Sequence, residues 1–174
     1  MPDIHIQLML SSNRNQSGVL IVKDAGNGRV LGYFEALARG SQGPGDTQMQ
    51  VNGNTPTGSY RVTALAATSS WNQDSYGPNG ALRLSPVSGN AQAAEQLAGR
   101  EGLLIHGGSL GATGYWRGAN ELRATHGCVR LRNEDMHRLT QVLYDAANDP
   151  VAPQSRAVEV TLTVADYEMS FMRP

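Results

Sequence analysis

Two aliphatic runs, "GVLIVKD" at 18–24 and "RVLGYFEAL" at 29–37, stand on either side of "AGNG". β-branched and aromatic residues around an Asn-Gly turn are a strong short-range signal for an antiparallel hairpin. Before it, Ile4, Ile6, Leu8 and Leu10 alternate with His5 and Gln7, the period of a strand with one buried face. The first 37 residues therefore predict three strands. Glycine (20) and proline (8) are plentiful and apolar residues make up 40% of the 174, so short elements and many turns are expected. That balance favours a mainly β fold over a helical bundle.

Further along, 39–58 reads as a long Gly/Pro/Asn loop of the kind that is usually functional or mobile. "SYRVTAL" (59–65) and "ALRLS" (81–85) read as strands joined by the polar, aromatic loop "SSWNQDSYGPN". "NAQAAEQLAG" (90–99) predicts a short helix closed by Gly99, and "GLLIHG" (102–107) a buried strand. A Gly-rich connection spans 108–124. The stretch 133–148 predicts an amphipathic helix with Asn133 as N-cap and Met136, Leu139, Leu143 and Ala146 on one face. "AVEVTLTV" (157–164) predicts a closing strand. With no repeat, low-complexity tract or linker in view, residues 1–174 are expected to form one domain.

The formal net charge is −1, so nothing points to nucleic acid or to an anionic membrane surface. The longest aliphatic run is "VLIV" at 19–22, so no membrane insertion is expected. The opening "MPDIHIQLML" lacks the basic region and cleavage site of a secretory leader. A lone cysteine excludes an internal disulfide.

That cysteine, Cys128, lies in "RATHGCVRLRN". A thiol needs a base to become a good nucleophile. His126 is two residues away, which on extended backbone puts both side chains on one face. His106 ends a buried-looking strand and is followed by Gly107 and Gly108. Spacing alone does not choose between the two histidines as base. Gly127 can take φ > 0 and leave the backbone open, and the N–H groups of Gly127 and Cys128 could form an oxyanion hole. Two other readings stand beside this one. A lone Cys is commonly a small buried hydrophobe. His106, His126, Cys128 and His137 also make a zinc set on paper, although His137 is expected to be partly exposed on its helix.

"IHGG", 19 residues between the two histidines, and then "THGCVRLRNED" resemble the signature of the L,D-transpeptidase catalytic domain, the YkuD family. "NTPTGSYRV" and "YGPNGALRLSP" resemble its upstream strands, in the same order. The resemblance implies a mainly β sandwich or barrel with one or two short helices. It implies that Cys128 is the nucleophile and His106 the general base, held by a backbone carbonyl near Gly107 or Gly108. His126, Gly127 and Thr125 would shape the oxyanion hole and its loop. Arg130 would organise the site or meet a substrate carboxylate, and Thr125 and Gly107 would stand near the substrate. No metal or organic cofactor is implied.

The implied substrate is the peptidoglycan tetrapeptide stem. Cys128 would form a thioester and expel the terminal D-Ala; an amine, a D-amino acid or water would then take the acyl group. The work would be done in the periplasm or cell wall. A chain with no visible leader also suits an antibacterial effector delivered by a type VI apparatus, with an immunity protein or a secretion component as partner. A non-catalytic wall-binding module is the other alternative, beside the zinc protein.

Overall fold

Hydrophobic alternation becomes a curled sheet. In this computed structural model, which describes residues 4–108, 122–147 and 158–164, β1 (Ile4–Leu10) turns Ile4, Ile6, Leu8 and Leu10 into the core. β2 (Gly18–Asp24) and β3 (Val30–Ala36) complete the hairpin expected around Asn27-Gly28, and Leu20, Val22 and Phe34 join the same core. After them come β4 (Gly58–Ala66), α1 (Gln73–Tyr76), β5 (Ala81–Ser88), α2 (Gly89–Ala98), β6 (Leu104–His106), β7 (Val129–Arg130), α3 (Asn133–Ala147) and β8 (Val158–Val164).

The eight strands form one sheet in the order β3-β2-β1-β8-β4-β5-β6-β7. The strand β8 runs parallel to β1 and antiparallel to β4, so it bridges the two halves of the sheet. The sheet then nearly closes on itself. Just beyond β3, the Leu37 N–H donates to the Arg130 carbonyl at 2.9 Å, and the Arg130 N–H returns the bond to Leu37 at 2.8 Å. An antiparallel bridge therefore joins the two edge strands, which leaves little unpaired edge there. The helices lie outside: α2 buries Ala91 and Ala94 against β4 and β5, and α3 buries Met136 and Leu139.

The expected mainly β class is the observed one, with three helices among the described residues instead of one or two because the aromatic loop coils into the single turn α1. Asn72 caps that turn by accepting from the Ser75 N–H. The two-residue β7 escaped the sequence reading because it is too short for any period. Asn133 is not the N-cap of α3. It is the first helical residue, and its side chain reaches out to Gly108 instead. The long loop at 39–58 is stitched down: Asn54 is buried and accepts from the Gly40 N–H, while Arg14 donates to the carbonyls of Ala38 and Thr55. Of the 108–124 connection, residues 109–121 lie outside the described set, as do 148 and 157 at the ends of the expected α3 and closing strand.

Candidate active site

β6 and β7 pair in parallel, with Ile105 opposite Val129 and His106 opposite Arg130. Ile105, Val129 and Leu131 are fully buried in the core. Side chains alternate along a strand, so Leu104, His106 and Arg130 share the opposite face, and Cys128 leads into it from the same side. Two adjacent short strands thus bring together residues more than twenty positions apart. The Leu104 backbone stands against the Cys128 thiol and favours its ionised form.

His106 is 2% exposed, and its Nδ1 lies 2.6 Å from the Gly107 carbonyl oxygen. A carbonyl can only accept, so Nδ1 carries the proton and Nε2 is left as the acceptor. Burial lowers the imidazole's pKa to about 4; the positive charge of Arg130 pushes the same way, and the Gly107 bond opposes them weakly. At neutral pH the ring is an uncharged base. The Tyr76 ring packs against it, with centroids 5.1 Å apart, and Trp71 meets Tyr76 edge-on.

Cys128 keeps part of its surface open, yet its thiol is desolvated. Burial raises the thiol pKa, opposed by the Leu104 backbone and by the charges of Arg130 and Arg100. The turn before it is held by Thr125, whose hydroxyl donates to the Cys128 carbonyl at 2.8 Å and accepts from the Gly127 N–H at 3.0 Å. The Gly127 amide, expected as an oxyanion donor, is therefore already engaged. Gly127 adopts φ 115°, a conformation that side chains resist. The Cys128 N–H has no acceptor among the described residues. Thr125 is buried and occupied by the loop, whereas His126 is exposed.

Arg130 is 6% exposed and donates through Nη1 to Gly107 at 2.9 Å and to the Ser75 carbonyl at 3.2 Å. Both bonds go to backbone carbonyls. Gly107 receives both His106 and Arg130 on one oxygen. Asn133 accepts from the Gly108 N–H at 2.9 Å, and Asn79 in turn donates to the Asn133 carbonyl at 2.8 Å. The glycine pair after His106 is thus fixed from the α3 side. His137 is exposed on α3, and among the described residues no three His, Cys, Asp or Glu side chains gather as a metal set. The zinc reading gains no support.

The family model for the L,D-transpeptidase catalytic domain, YkuD, matches residues 13–153. The chain belongs to the YkuD family. No match was found among curated proteins. Among solved structures, the chain is similar to Bd1075 of Bdellovibrio bacteriovorus, with 13% identity and a TM-score of 0.54. The similarity covers 93% of this chain and 48% of that one, so the chain spans about half the length of that relative. At this identity the likeness is one of fold.

In this YkuD domain the sequence reading overlooked three groups at the site. Tyr76 lies in the polar, aromatic loop and is the first residue of an upstream strand motif, with no role at the site read from either. Asn133 was assigned to capping. Arg100 follows the Gly99 turn at the end of α2 and is 6% exposed. Its partners are about fifty residues away, so no local pattern marks it. Its position after a C-terminal glycine was the single available cue.

Proposed function

We propose that this YkuD domain is a cysteine acyltransferase acting on peptidoglycan tetrapeptide stems. The observation that carries the reading is the tautomer of His106. With Nδ1 bound to Gly107, Nε2 is a neutral acceptor on the face that also presents Cys128.

The resting pair is thiol and imidazole, since burial disfavours both charged forms. The thiol proton moves to His106 Nε2 as Sγ attacks the carbonyl carbon between the third stem residue and D-Ala. The oxyanion of the tetrahedral intermediate faces the Cys128 N–H, with the charges of Arg130 and Arg100 nearby. Collapse breaks the C–N bond, and the imidazolium returns its proton to the departing D-Ala amine. Burial and Arg130 make the imidazolium a strong acid, which favours that return. An incoming amine or water then gives its proton to Nε2 and attacks the thioester; the C–S bond breaks and the imidazolium returns that proton to the departing Sγ, which restores thiol and imidazole. A cross-link, an exchanged D-amino acid or a trimmed stem results. Thr125, Gly107 and His126 are assigned to the walls of the site, His126 from its exposed position beside the thiol.

The site of action is the cell wall, where finished stems are found. Delivered to a wall that is not its own, the same consumption of donors would make the protein an antibacterial effector. Growth with a fused periplasmic leader, compared with the Cys128→Ala control, distinguishes the two roles. The activity itself is tested by mass spectrometry of muropeptides incubated with the protein, with and without a D-amino acid. Loss or exchange of D-Ala on tetrapeptides is expected; unchanged stems would refute the assignment.

A further inference from the structure

We propose that Arg100 is a positioning residue for Cys128: its guanidinium clamps the 48–54 loop beneath the Cys128 turn and supplies that turn with an unneutralised positive charge. The inference rests on the reading of Cys128 as nucleophile.

Geometry comes first. The helix α2 ends at Gly99, in the left-handed conformation (φ 62°, ψ 27°), and the N–H groups of Gly99 and Arg100 return to the carbonyls of Glu95 and Ala94 at 3.1 Å. That cap fixes the backbone from which Arg100 departs. Its guanidinium then donates to three carbonyls of one loop: Nη1 to Gln48 and, at 2.7 Å, to Asn54, and Nη2 to Gly53 at 2.9 Å. On its other side lies the turn of the nucleophile. A Cβ added at Gly127 would collide with Arg100 Nη2 and would crowd the Gly53 carbonyl at 3.0 Å. The guanidinium is thus wedged between the loop and the residue before Cys128.

The clamp closes through a second path. Asn54 accepts from the Gly40 N–H, Gly40 bridges to Thr125, and the Thr125 hydroxyl holds the Cys128 carbonyl. Arg100 and Thr125 therefore grip the same turn from two directions, both through the 39–54 segment.

Charge is the second half. All of the hydrogen-bond acceptors of Arg100 are neutral carbonyls, and among the described residues no carboxylate pairs with it. A buried guanidinium without a counter-ion is costly. The missing negative charge is the one that Cys128 acquires as thiolate and its substrate acquires as oxyanion. The field of Arg100 on Cys128 favours the thiolate, as does that of Arg130. The other charged or titratable groups around them are His106 on β6 and exposed His126, Asp74 and Arg123 near Arg130, and Tyr60 near Arg100, with Arg14 beside Tyr60 and Asp46 beside Arg14. Tyr60 donates its hydroxyl to Pro56, and burial raises its pKa, so it stays neutral and does not cancel Arg100.

The test compares Arg100→Met and Arg100→Lys with the wild-type chain. Three readouts are needed: the pH profile of Cys128 alkylation by iodoacetamide, hydrogen exchange over 47–54, and kcat and KM on a tetrapeptide donor. For Arg100→Met, the alkylation midpoint is expected to move up by about one pH unit, with about tenfold slower alkylation below it. Exchange over 47–54 should quicken, and kcat should fall more than KM changes. Arg100→Lys should recover most of the alkylation profile, because it keeps the charge, but not the protection of 47–54. A folded Arg100→Met variant with wild-type alkylation and exchange would overturn the proposal. If Arg100→Met does not fold, Arg100→Lys decides alone: unchanged exchange and unchanged kcat would overturn it equally. Alkylation and exchange need no substrate. A wild-type protein that leaves stems intact would therefore defeat the acyltransferase reading while these two measurements still judge Arg100.

Discussion

His106 and Arg130 share one acceptor: Nδ1 of the imidazole lies 2.6 Å and Nη1 of the guanidinium 2.9 Å from the Gly107 carbonyl oxygen. Because β6 and β7 are in parallel register, the two residues stand side by side, and the cation opposes protonation of the ring. One carbonyl fixes the tautomer of the imidazole and the position of the charge that keeps it neutral.

Replacing Arg130 by Met should therefore raise the His106 pKa from about 4, part of the way towards 6.5, since desolvation, the larger cause, remains. It should also destabilise the fold by about 1–3 kcal/mol, because the Gly107 and Ser75 carbonyls lose a charged donor. NMR titration of the ring proton and urea unfolding measure the two effects. An unmoved His106 titration would separate the residues electrostatically.

The same lowered pKa carries a stability cost in acid. Between pH 6.5 and about 4 the unfolded chain binds a proton at His106 and the folded chain does not. Stability should fall as pH drops through that window, by up to about 3 kcal/mol from this group, and level off below it. His106→Gln should remove this component, so the difference between variant and wild type isolates it from the carboxylates. The same difference in urea midpoint between His106→Gln and wild type at pH 7 and at pH 4.5 would contradict the buried, neutral ring.

Most strands were legible because one-faced burial repeats every second residue, as in Ile4–Leu10 and its hairpin partner. His106 and Cys128 could be singled out as candidates because their motifs are short and contiguous. What stayed hidden depends on contacts distant in sequence. The turn at Thr125 engages Arg39 and Gly40, and Arg100 engages Gln48, Gly53 and Asn54. The protonation states were hidden as well, since burial sets them and spacing does not. Asn133 was misread for a related reason: a residue suited to capping its own helix was taken by the Gly108 backbone.

Gly127 tests the turn. With φ at 115° and Arg100 Nη2 where a side chain would go, Gly127→Ala should cost about 2 kcal/mol or more and slow alkylation of Cys128. Denaturant unfolding and thiol labelling measure this. A neutral effect on both would mean that the turn relaxes freely.

The central claim is that Cys128 is the attacking atom and that His106 activates it. Muropeptide mass spectrometry with wild type, Cys128→Ala and His106→Ala tests it most directly. The wild type should release or exchange the terminal D-Ala of tetrapeptides and show a covalent acyl adduct on Cys128, while both variants lose turnover and remain folded. Turnover by Cys128→Ala within about tenfold of wild type would contradict the account.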